Sequence, residues 1–122
     1  PIAWAAEEHE AHEGKVKIPD NAAAIVAEVK EHEAELGKLI AEKKLNKVHE
    51  VAFEIRDLVN ALPDKSTDLA ADKLNKIKAD SKFVASLADR LDKSGDANDQ
   101  AATESNFRKL QSLLKEIESQ YP

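Results

Sequence analysis

From residue 20 onward, apolar side chains recur three and four positions apart in four successive blocks. The first carries Ile25, Val29, His32, Leu36 and Leu39/Ile40, and the second Leu45, Val48, Ala52, Ile55, Val59 and Leu62. The third carries Ala70, Leu74, Ile77, Ser81, Val84, Ala88 and Leu91, and the fourth Ala101, Phe107, Leu110, Leu114, Ile117 and Tyr121. That spacing places side chains on one face of an α-helix. It predicts helices over about 20–43, 46–62, 67–93 and 96–120.

The punctuation between blocks agrees. Pro19-Asp20-Asn21 offers helix-start capping groups, Lys44-Leu45-Asn46 is a tight link, and Pro63 ends the second block ahead of an Asp64-Lys65-Ser66-Thr67 turn that closes in a cap. Ser94-Gly95-Asp96 reads as a glycine stop followed by a new cap. Gly37, inside the first block, is expected to allow close helix packing rather than to break the helix. Phe83 and Phe107 fall at one height about the last turn and are expected to pack together. Ser81 is expected to bond back to the carbonyl of Ile77. Four helices with short connections predict an all-α, antiparallel up-down-up-down four-helix bundle over residues 19–122, preceded by a tail at 1–18.

Composition narrows the function classes. Three glycines, 4% aromatics and 34% charged residues suit an all-α domain of 122 residues. A net charge of −6 with interspersed signs argues against nucleic acid, which rewards basic stripes. With no cysteine there are no disulfides, thiolate sites or covalent haem. No apolar run approaches the ~20 residues of a membrane span. The chain starts at Pro1 and lacks methionine. It is therefore expected to be a processed or trimmed product, with signal-peptide removal and an engineered start both open.

The tail holds the stretch whose composition looks selected for chemistry, Glu7-Glu8-His9-Glu10-Ala11-His12-Glu13. Imidazole and carboxylate together suit Zn²⁺, Cu²⁺ or Ni²⁺. On a helix His9 and His12 would share a face, with Glu8 and Glu13 four residues from His12 and His9 respectively. The competing reading is a solvated acidic tail with incidental histidines. His32, on the apolar stripe, is expected to be half-buried with Glu28 or Glu35 as its partner. His49 flanks the core of the second helix and is the next candidate ligand. Pairing positions about the Lys44-Leu45 turn separates His32 and His49 by about 12 Å in height, too far to share one ion in one subunit.

No enzyme is expected. There is no His-Glu-x-x-His, and the residues three before the histidines (Ala6, His9, Val29, Asn46) include no carboxylate of the di-iron type.

Two resemblances add to this reading. The layout over about 20–121, the turn Lys93-Ser94-Gly95-Asp96 and the ending Leu114-Lys115-Glu116-Ile117-Glu118-Ser119-Gln120-Tyr121 resemble the soluble four-helix-bundle cytochromes of the bacterial periplasm. Those proteins ligate haem with a methionine on the first helix and a histidine on the last. Neither is present here, so no haem is expected. The run from Val48 to Pro63, the run Phe83–Asp92 with Gly95-Asp96 and Asp99-Gln100 after it, and the His/Glu-rich lead into Gly14–Pro19 resemble small exported bacterial proteins of heavy-metal efflux neighbourhoods. That resemblance implies an exported, periplasmic location and a metal-homeostasis setting, with no established site. Together with the His/Glu chemistry it leads to the expectation of a monomeric or homodimeric bundle that binds a copper, zinc or nickel ion weakly as an accessory to an efflux-system protein. The metal ligands expected are His9, His12, Glu8 and Glu13, then His49 and His32. The rival expectation is a helical protein–protein interaction module that binds no metal.

Overall fold

A computed structural model describes residues 16–122, and among them there are four α-helices and no strand. They are α1 (Ala22–Ala41), α2 (Val48–Ala61), α3 (Ala71–Asp96) and α4 (Gln100–Glu118), with 3₁₀ turns at Leu45–Lys47 and Pro63–Lys65. Each helix packs on its neighbour in sequence, and α1 closes the ring against α4 along a sparser seam. This is the antiparallel four-helix bundle that the hydrophobic spacing predicts. No helix among the described residues is long and apolar enough to cross a membrane.

Most of each predicted stripe is core, although Ala70 and Ala101 are exposed and Leu39, Leu74, Phe107 and Tyr121 are only half-buried. Ile25, Val29, Leu36 and Ile40 of α1 are buried, as are Ile77, Val84, Ala88 and Leu91 of α3 and Leu110, Leu114 and Ile117 of α4. The α2 helix is buried furthest around its circumference, adding Val51, Phe53 and Leu58 to the predicted stripe. It packs on both α1 and α3. Val16 and Ile18, ahead of α1, pack against this core.

The ends differ from expectation in instructive ways. Asn21 caps α1, its Oδ1 accepting from Ala24 N at 2.8 Å. Helix α1 ends in a Schellman pair, Lys43 N to Ile40 O at 3.0 Å and Lys44 N to Leu39 O at 2.9 Å, with Lys43 left-handed at φ 60°. Helix α3 does not stop at Gly95. It runs to Asp96 and closes with the same pair, Asn98 N to Gly95 O and Asp99 N to Ser94 O, both 2.9 Å, with Asn98 left-handed at φ 54°. Asparagine tolerates that conformation because its short amide bonds locally. The cap of α4 is consequently Asp99, accepting from Ala102 N at 3.1 Å, rather than Asp96.

Gly95 serves a packing role instead. A Cβ there would lie 2.7 Å from the Leu45 carbonyl oxygen and 3.6 Å from Val48 Cβ, so the absent side chain is what lets α3 meet the start of α2. Gly37 works as expected: a Cβ would sit 3.2 Å from the Phe107 ring. Phe107 thus lies against α1, whereas Phe83 is 60% exposed on the other flank, and the expected pairing of the two rings does not form. Ser81 bonds back three residues to Lys78 O at 2.8 Å, not four to Ile77. The 64–67 turn does not cap α3, which begins at Ala71 rather than near 67, with Ala70 at its N-cap and no side-chain cap bond, and Ser66 is engaged elsewhere. Buried in the turn, it donates to Leu62 O at 2.6 Å and meets Tyr121 Oη at 2.7 Å, which ties the last turn of the chain to the α2–α3 connection.

Candidate metal site

At one end of the bundle the close of α3 meets the opening of α2, and the contact of Gly95 with Leu45 and Val48 sets the spacing. His49 follows Val48 in the first turn of α2, while Asp92 and Asp96 flank Gly95 one helical turn apart on α3. The result is a cluster in which one nitrogen of His49 and one carboxylate oxygen from each aspartate all lie within 4.8 Å of one another. His49 and Asp92 are half-buried and Asp96 is exposed.

The backbone under this cluster is pinned. Thr103 Oγ1 donates to Asp99 O at 2.7 Å and shares a 2.9 Å hydrogen bond with Ser94 Oγ, joining the end of α3 to the start of α4. Gln100 Nε2 donates to Ile40 O at 2.8 Å, joining α4 to the end of α1. The carboxylates therefore ride on a helix end whose position three neighbours define.

The donor set has clear chemistry. One imidazole and two carboxylates suit a borderline divalent ion, with bonds of about 2.0–2.2 Å and ligand–ligand separations of roughly 3.4 Å in a tetrahedral shell. Two negative charges also cancel a divalent cation. They sit in the last turns of α3, at the negative end of its macrodipole, where an anion is unfavourable by about 0.3–1 kcal/mol and a cation is favourable. Three protein ligands leave positions for water or another donor, a pattern suited to exchange rather than to a closed structural site.

The sequence-predicted residues distribute as follows. His49 is in the cluster. His32 is elsewhere on α1 and half-buried as expected, its side chain 22% exposed, but its Nδ1 lies 3.7 Å from Glu35 Oε1, within ion-pair reach and too far for the hydrogen bond expected of it. Val26 and Val29 share an apolar void with Val59 and Leu62, a register that matches the turn pairing used to separate His32 from His49. His9, His12, Glu8 and Glu13 lie outside the described residues. Asp92 and Asp96 were not anticipated. Their i, i+4 spacing is the available signal, but a helix that ends near 93 excludes Asp96, and only its continuation through Gly95 puts the two on one face.

Comparison of the chain with protein-family models, curated proteins and solved structures returned no match.

Proposed function

We propose that this bundle is an accessory protein of heavy-metal homeostasis, working in the periplasm, that binds a copper, zinc or nickel ion weakly and releases it readily. The observation that carries the reading is the convergence of His49, Asp92 and Asp96 donor atoms within 4.8 Å at a helix end. The tail residues His9, His12, Glu8 and Glu13 form a second capture point, and an efflux-system protein is the recipient of the ion. The periplasmic setting rests on the resemblance carried by Val48–Pro63 and Phe83–Asp92.

Calorimetric titration of Cu²⁺, Zn²⁺ and Ni²⁺ into the full chain tests this. Two variants accompany it, His49→Ala and the paired His9→Ala/His12→Ala. Removing the one imidazole among three direct ligands is expected to weaken the bundle site by more than the roughly tenfold to hundredfold that losing an outer-shell partner costs. The paired tail variant is expected to remove a separate binding event. If the unaltered protein binds none of the three ions more tightly than free imidazole does, the proposal fails. The rival reading, an interaction module without metal, is favoured by the exposure of Phe83, the one large apolar side chain exposed among the described residues.

A further inference from the structure

A second stripe runs along α3 beside the core stripe. Lys76, Asp80, Phe83, Leu87 and Arg90 recur at spacings of four and three, and Lys109, Leu113 and Glu116 answer them on α4. Together they wall a groove of about 380 Å³ between the two helices.

One residue in that wall is out of keeping with a folding role. The Asp80 side chain is 3% exposed, and while its Oδ1 pairs with Lys76 Nζ at 3.2 Å, its Oδ2 is buried with no hydrogen-bond partner. A buried, half-satisfied carboxylate is costly, and an apolar residue of similar size would serve the fold as well or better. Such a group points to a donor that the fold itself does not supply. The same end of the groove already holds one ammonium, since Lys76 Nζ bridges Asp80 and Glu116 Oε1, the latter at 2.8 Å. Those partners, Glu116 first and then Asp80, hold the Lys76 amine above the usual lysine range.

The rest of the groove has a direction. Its middle is apolar, from Phe83, Leu87 and Leu113, and its far end carries Arg90 and Lys109 with no carboxylate in the lining there. The hydrogen bonds from Thr103 to Ser94 and from Asn106 to Arg90 O set an antiparallel register that places Lys109 opposite Leu87, while the longer side chains of Lys76 and Glu116 pair one turn off it. From Asp80 to Leu87 is seven residues of helix, about 10 Å.

We propose that this groove binds a small zwitterion, an ammonium and a carboxylate about 10 Å apart on an apolar body. The ammonium donates to Asp80 Oδ2 after Lys76, 45% exposed, swings aside, and it brings that end to two carboxylates and two ammoniums. The body lies on Phe83 and Leu113, and the carboxylate meets Lys109 and Arg90. An ω-amino acid and a short extended peptide share this chemistry, and neither involves the His49 cluster.

The test is calorimetry on the full chain with 8-aminooctanoate, trileucine, octylamine and octanoate. At least one zwitterion is expected to bind, and octylamine and octanoate each at least about tenfold more weakly, the worth of one charged hydrogen bond. The tighter of the two zwitterions distinguishes a free amino acid from a peptide. Asp80→Asn is expected to bring 8-aminooctanoate down to the level of octanoate, and Lys109→Gln to weaken 8-aminooctanoate, with Arg90 still present, while leaving octylamine unchanged. Lys109 is exposed, so its variant keeps the test decisive if Asp80→Asn fails to fold. Absence of binding by both zwitterions at millimolar concentration, or octanoate binding as tightly as they do, overturns the proposal.

Discussion

Replacing Gly95 by alanine is expected to destabilise the bundle, although the position is inside a helix where alanine is normally preferred. The intrinsic gain for glycine to alanine in a helix interior is about 1 kcal/mol. Against it stands a Cβ 2.7 Å from the Leu45 carbonyl oxygen. That oxygen belongs to the backbone of the 3₁₀ turn and cannot rotate away, so α3 and the start of α2 must separate by several tenths of an ångström. Overpacking of this kind costs about 1–3 kcal/mol. Set against the intrinsic gain, the clash leaves a net loss of up to about 2 kcal/mol, or a fall in Tm of up to roughly 8 °C for a domain of this size.

Gly37→Ala is the internal control. Its Cβ meets only the Phe107 ring at 3.2–3.3 Å, and that half-buried side chain has room to turn. Gly37→Ala is therefore expected to stabilise by up to about 1 kcal/mol. Urea unfolding followed by far-ultraviolet circular dichroism measures both. The same displacement moves Asp92 and Asp96 relative to His49, so Gly95→Ala is expected to weaken Zn²⁺ binding at the cluster while Gly37→Ala leaves it unchanged. A Gly95→Ala protein more stable than the unaltered chain would refute the close-approach argument.

Further outcomes follow from the same geometry. Lys43→Gly is expected to stabilise by about 0.5–1 kcal/mol, because a left-handed φ of 60° strains lysine and not glycine; thermal melting reads this as a raised Tm. Burial, then the neighbouring Glu118 carboxylate, raises Glu33 above the usual carboxylate range, and the Gln111 hydrogen bond and Lys30 only partly offset them. Folded protein thus holds that proton more tightly than unfolded chain, so Glu33 opposes folding increasingly as pH rises from its ordinary value of 4.5. Glu33→Gln is expected to be the more stable protein at neutral pH and to lose that advantage below roughly pH 4, measured as the difference in urea midpoints across the range.

Where a local pattern and the tertiary packing made the same demand, the sequence revealed the structure. The four stripes are legible because burying one face of each helix leaves little freedom about which residues turn inward. The ends are less legible because several residue types satisfy the same local need. Gly95 looked like a helix stop, but the left-handed position fell on Asn98, and glycine was required three residues earlier by the Leu45 carbonyl. The 64–67 turn offers cap chemistry in sequence, yet its Ser66 is engaged by Leu62 O and by Tyr121, a partner 55 residues away. The His49 cluster depends on that misread end, since Asp92 and Asp96 share a face only if the helix continues through Gly95. Asp80 carried no signal as a groove residue. Its burial comes from α4 packing beside it, a relation that periodicity along α3 does not contain.

The uneven ring of contacts also orders the route by which the chain reaches this structure. The three well-packed seams join helices that are consecutive in sequence, so each closes only a short loop and loses little chain entropy in doing so. The seam between α1 and α4 joins the most distant elements and is the sparsest. Little of the native energy therefore waits on the one long closure, which places the protein among low-contact-order, rapidly folding chains. A bundle assembled as successive hairpins can close its last side late, and that side is where the native state would open first.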